Sequence, residues 1–113
     1  VRYFETRFLE EVDKFIVKLD KKSASKVFYN IELAEHTNNP KLFKKLKDEI
    51  WEFRNQYFGN QNRILAFWDK TEQTETLVLA TQGFVKKDSK VPTKEIDKAE
   101  RIRQEYFSNK KKK

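Results

Sequence analysis

The sequence has no cysteine, no methionine, one histidine, two glycines and two prolines in 113 residues. Without cysteine there is no disulfide framework, thiol nucleophile or thiolate metal site, and a single imidazole builds no histidine cluster. Metal chemistry is therefore not expected, and neither is a cofactor. Long apolar runs are also missing. The longest extend a few residues, as from Leu77 to Ala80, against the roughly 20 that cross a bilayer. No signal peptide is visible, so the expectation is a soluble cytoplasmic protein. Absent too are a glycine-rich phosphate loop, a serine elbow flanked by glycines and a pair of histidines four apart, which removes most familiar catalytic classes.

What is abundant is charge and aromatic rings. Lys and Arg number 25 against 18 Asp and Glu, for a net charge of +7, and the mean hydropathy is −0.93. Ten Phe, four Tyr and two Trp nevertheless supply enough buried area for a core. The length fits one domain. We expect residues 1–109 to form it and residues 110–113, all lysine, to be a solvated basic tail. The positive balance favours a polyanionic partner such as RNA, DNA, an acidic membrane surface or an acidic protein segment.

The apolar period changes along the chain. Phe4, Phe8, Leu9, Val12, Phe15, Ile16 and Leu19 recur at spacings of three and four, which predicts one face of a helix, with a short strand at residues 1–3 before it. Ser23 or Ser25 is a candidate cap for a second helix carrying Val27, Phe28, Ile31 and Ala34, ended by the polar run from His36 to Pro40. A helical turn is predicted around residues 42–46. The period then shifts toward two. Residues 50–54, 63–68 and 76–81 read as three strands of an antiparallel meander, joined by loops at 55–62 and 69–75, with Gly83 closing the last strand. The middle strand is apolar on both faces and predicts a sheet covered on both sides. Pro92 and Thr93 open a terminal helix with Ile96, Ala99, Ile102 and Tyr106 or Phe107 on one face. The expected class is α+β: a helical hairpin, a meander and a C-terminal helix.

Cations and rings concentrate along the meander and just after it. Arg54, Arg63, Lys86, Lys87 and Lys90 are accompanied by Trp51, Tyr57, Phe58 and Phe84. Cations that neutralise phosphate, beside flat rings on which bases stack, are what single-stranded RNA recognition requires. The same composition also describes core aromatics with a solubilising rim, and spacing leaves both readings open.

Four segments taken together carry a resemblance. Leu46-Lys47-Asp48-Glu49-Ile50-Trp51-Glu52-Phe53-Arg54 is followed by Asn62-Arg63-Ile64-Leu65-Ala66-Phe67. Then come Gln82-Gly83-Phe84-Val85-Lys86-Lys87 and the run Val91-Pro92-Thr93-Lys94-Glu95-Ile96-Asp97-Lys98-Ala99. In this order they resemble the RelE/HigB superfamily of bacterial toxins, in its phage-derived Gp49-like branch. The resemblance implies a RelE-like fold and a type II toxin-antitoxin toxin. It further implies an endoribonuclease that cuts mRNA without metal, often in the ribosomal A site, and a cognate antitoxin with a helix-turn-helix domain. Arg54 and Arg63, then Lys86 and Lys87, match the positions implied to act on the scissile phosphate. Arg54 has a competing role, since Glu52 shares its side of the strand and can pair with it. Non-catalytic RNA or ribosome binding, and a protein-interaction module, are the alternatives on the same scaffold.

Overall fold

The computed structural model describes residues 2–71 and 76–111. Val1 of the predicted opening strand, residues 72–75 of the predicted loop, and Lys112 and Lys113 of the tail lie outside the described residues. The architecture is α+β: β1 (Glu5–Phe8), α1 (Glu10–Val17), α2 (Lys21–Thr37), β2 (Phe43–Lys47), β3 (Ile50–Tyr57), β4 (Asn60–Asp69), β5 (Leu77–Lys86) and α3 (Thr93–Lys111). The strands form one sheet in the order β1-β5-β4-β3-β2. β1 runs parallel to β5 and the other pairs are antiparallel. No described helix is long and apolar enough to cross a membrane.

β4 is buried on both faces, as its unbroken apolar run demands. Ile64 and Ala66 join Phe53, Val78 and Ala80 under α1 and α2. Leu65 and Phe67 join Ile50, Leu79 and Ala99 on the α3 side. The two helices, the meander and the final helix expected from sequence are all present.

Four local expectations are corrected. The first helix starts at Glu10, not near Phe4, because residues 5–8 form β1 against β5. A spacing of four between Phe4 and Phe8 satisfies a strand as well as a helix. The open edge of β5 decides, with Leu9 donating its N–H to the Ala80 carbonyl at 3.0 Å, while the Thr6 N–H donates to Glu35 Oε2 of α2 at 2.7 Å. Residues 42–46 are not a helical turn, since Phe43 opens β2 and stacks on Phe53 with ring centroids 4.2 Å apart. The loop predicted at 55–62 is instead the end of a hairpin. β3 and β4 continue to a two-residue turn at Phe58 and Gly59, both at positive φ (50° and 79°), the turn whose twist matches paired strands. Gly83 lies inside β5, where a Cβ would come within 2.3 Å of the Phe15 ring. Glycine there admits α1, and does not end the strand.

Neither predicted serine is the cap of α2. Asp20 is, its Oδ1 accepting from the Ser23 N–H at 2.8 Å while the Ser23 hydroxyl donates to Oδ2 at 2.9 Å. At the other end of α2, the His36 Nδ1–H donates to the Glu32 carbonyl at 3.0 Å.

α3 is held at its far end by a buried carboxylate. Asp69, 1% exposed, accepts from Tyr106 Oη at 2.5 Å, Lys110 Nζ at 2.7 Å, the Thr71 N–H at 3.0 Å and the Thr71 hydroxyl at 2.6 Å. Lys110, read from sequence as the first tail residue, is thus a helix residue anchored to the sheet. Burial pushes the Asp69 carboxyl up, but the hydrogen bonds from Lys110, Thr71 and Tyr106 outweigh it and hold the group well below the usual carboxylate range.

Asp69→Asn should therefore lower stability by about 2–3 kcal/mol at neutral pH, read from urea unfolding. A carboxyl depressed in the folded state contributes fully above its unfolded value, near 4, and loses that contribution as pH falls toward the native value. The gap between wild type and variant should narrow below about pH 4. A gap that stays constant on acidification would contradict the assignment.

Candidate nucleic-acid interface

The turn at Phe58 and Gly59 fixes the register of β3 on β4, so that Arg54 falls opposite Arg63 and Asn55 opposite Asn62. Strand alternation then separates the pairs. The arginines share the face of Leu65 and α3, and the asparagines share the face of Ile64 and α2. β5 extends the rows, with Phe84 opposite Arg63 and Lys86 opposite Gln61.

β2 pairs with β3 only as far as Phe43 opposite Phe53, and the Arg54 N–H is then taken by the Leu42 carbonyl at 2.8 Å. Past that point the outer edge of β3 carries no strand. A cavity of about 410 Å³ opens there, within the size range of small-molecule sites. Arg54, Arg63, Asn55 and Gln56 reach it from the sheet, Lys26 and Asn30 from α2, and Lys41 and Leu42 from the segment before β2. Four of these described lining residues are cations and none is a carboxylate.

Arg63 is the least ordinary of them. It is 5% exposed, its Nη2 donates to Gln61 Oε1 at 2.6 Å, and its Nε has no partner. Burial pulls its pKa down, Glu52 pulls it back up, and Arg54 lowers it further. A guanidinium nevertheless stays charged at neutral pH. Glu52, 4% exposed, stands 3.7 Å from Arg54 Nε. That is close enough to attract but too long for a hydrogen bond, and its Oε2 is unpartnered. Two guanidiniums thus share one loosely placed carboxylate. An anion with several oxygen acceptors would complement them, because guanidinium binds such groups through paired, charge-assisted hydrogen bonds.

The sequence candidates divide by position. Arg54 and Arg63 come together in the cavity. Lys86 lies one row outward on the Arg63 face, while Lys87 and Lys90 are exposed beyond the end of β5. Phe84 packs into the α3-side core. Trp51 is on the opposite face, against Phe43 and Trp68 with centroids 5.0 and 5.4 Å away. Tyr57 sits with Lys21, Lys22, Lys26 and Tyr29 in a shallow recess beside the cavity. Phe58 is 84% exposed at the turn, its ring 4.6 Å from that of Tyr57.

Sequence reasoning missed Lys26, Asn30 and Lys41, which lie before the segments that carried the resemblance. The signal for Lys26 and Asn30 was their spacing of four, which puts them on one face of α2. Asn55 was hidden inside the predicted loop, and Asn62, which opens the second resembling segment, was placed at that loop's end. A two-residue turn centred on Phe58-Gly59 would have paired them. Among the described residues no three His, Asp or Glu gather as metal ligands.

The family model described as "Phage derived protein Gp49-like (DUF891)" matches residues 14–104 of the chain. No curated protein matches it.

If Arg63 is kept for ligand binding and not for folding, Arg63→Met should leave the urea midpoint unchanged or raised, because an apolar side chain of similar length removes a buried, incompletely paired charge. A loss of about 3–5 kcal/mol would instead mark Arg63 as structural, the size expected when a well-made buried pair is broken.

Proposed function

The chain belongs to the phage-derived Gp49-like family, a RelE/HigB-like toxin family, and from that premise we propose that it is the toxin of a type II toxin-antitoxin system, an endoribonuclease that cuts mRNA on the ribosome and stops translation. The observation that carries this reading is the cross-strand pair Arg54 and Arg63 at the wall of a cavity lined by four cations.

The chemistry follows from what such a wall supplies. Attack of a ribose 2′-OH on the adjacent phosphate forms a phosphorane, and loss of the 5′-oxygen leaves a 2′,3′-cyclic phosphate and a free 5′-OH. Negative charge accumulates on the non-bridging oxygens between these states. Arg54, with its side chain 36% exposed, reaches incoming RNA. Arg63, buried and fixed by Gln61, meets the developing charge with little reorganisation. Preorganised donors in a site that excludes water gain more from that charge than donors in bulk solvent do. Lys86 is assigned proton transfer at the reacting oxygens, and Lys87 and Lys90 hold the flanking chain by charge. Tyr57 and Phe58 offer stacking surface to neighbouring bases. A cognate antitoxin, carrying its own helix-turn-helix domain, neutralises the toxin by covering the cationic cavity.

Arg54→Gln and Arg63→Gln should each lower cleavage by about 10²–10³-fold while the chain stays folded, and the double variant should no longer arrest growth. Lys86→Met should fall by about 10²-fold or more, and Lys87→Met by less. Mapping of new 5′-OH ends in RNA after induction, with and without ribosomes, reads all five variants. A stably folded double arginine variant that still cuts RNA rejects the reading.

A further inference from the structure

Behind the cationic wall lies a cluster of amides that phosphate chemistry does not use. Asn55 lines the cavity yet is only 6% exposed. Its Oδ1 accepts from Asn30 Nδ2, and its own Nδ2 has no partner. Asn62, opposite Asn55 in the register, is 1% exposed, and neither of its side-chain polar atoms has a partner. Between them is a void of about 10 Å³, walled by apolar groups including Val27, Ile31 and Ile64.

Buried amides are ordinarily satisfied, since leaving one unpaired costs roughly 1–3 kcal/mol. Two adjacent side chains with unused hydrogen-bonding capacity, one of them at the wall of an open cavity, are the arrangement of a recognition site. The inner void is too small for a base, so Asn62 backs the site and Asn55 faces it.

We propose that Asn55, supported by Asn30 and Asn62, reads a nucleobase at the inner wall of the cationic cavity, and that the base preferred there is guanine. The inference rests on the RNA reading above. The choice of base follows from the inventory of donors. Lys26, Lys41, Arg54 and Arg63 only donate, and the free group of Asn55 is also a donor. Guanine offers O6 and N7 as adjacent acceptors on one edge, whereas adenine replaces O6 with an amino donor. Donors outnumber the Asn30 and Gln56 amide oxygens that also line the cavity, so guanine is matched at both acceptors while the adenine amino group meets mostly donors, and polar mismatch of that kind discriminates more strongly than shape.

The test is titration of the full chain with GMP, AMP, CMP and UMP, followed by amide NMR shifts at low salt. GMP should bind at least about fivefold more tightly than AMP, the low end of what a good base contact provides. Asn55→Leu should bring the four nucleotides to similar affinity while phosphate binding persists. Asn55→Asp, which replaces the free donor with an acceptor, should move the preference toward AMP and CMP. Wild-type protein that binds GMP and AMP alike, or binds no nucleotide, overturns the proposal even if Asn55→Leu fails to fold. Selective GMP binding by a chain that cuts no RNA would retain this proposal and remove the ribonuclease reading. RNA cleavage with no base preference in the titration would do the reverse.

Discussion

The burial of the Arg63 guanidinium directly across from Arg54 is the constraint on which the rest of this molecule turns. Like charges opposite one another in an antiparallel pair oppose folding, and removing one of them from water adds a desolvation cost. One carboxylate, Glu52, offsets this only in part, from 3.7 Å on the Arg54 side. The pair persists because neighbouring structure leaves it no alternative. A two-residue turn fixes the register, Leu65 and Phe67 fill the strand beyond it, and α3 closes over the same face. The stability of the core thus holds in place a pair of like charges that one carboxylate matches incompletely.

Closure of that face depends on polar groups at both ends of α3. Near its start, Gln82 in β5 donates to the Glu95 carbonyl at 2.8 Å. Near its end, Tyr106 and Lys110 meet Asp69, while Phe67 packs against Tyr106 and Phe107 at 5.4 and 5.7 Å between ring centroids. Between these anchors Ala99, fully buried, brings the helix close to the sheet. The arginine row continues past the covered region to the open edge of β3. There Arg54 and Arg63 line the cavity shared with α2 and the segment before β2.

Much of this was legible in the chain. Period two through residues 50–54 and 63–68, and the apolar character of β4 on both faces, required a sheet buried between layers, and the stripe after Pro92 required a helix on one side of it. Arg54 and Arg63 stood out among the cations and rings of the meander, and the resemblance of their segments to the toxin family is what ranked them first. The strand at Glu5–Phe8 was not legible, since a spacing of four fits two periods and only the open edge of β5, some 70 residues away in sequence, settles it. The strand at Phe43–Lys47 was hidden because its lysines face out from a sheet edge, where they guard against pairing with other chains, while its aromatic anchor finds Trp51 and Phe53 only on folding.

By itself, then, the sequence determined the class of fold, the two-sided burial of the central strand and the surplus of positive charge, because all of these depend on composition and local periodicity; Arg54 and Arg63 were picked out only by the resemblance of the segments that carry them. Which groups share the cavity was decided only by tertiary structure. Lys26 and Asn30 come from a helix, Lys41 from the lead-in to an edge strand, and Asn55 from the strand before a turn, with Asn62 on the strand after it backing the cavity without lining it. Their meeting is fixed by strand register and by the early end of β2, long-range pairings in which each partner's position is set by packing elsewhere in the chain.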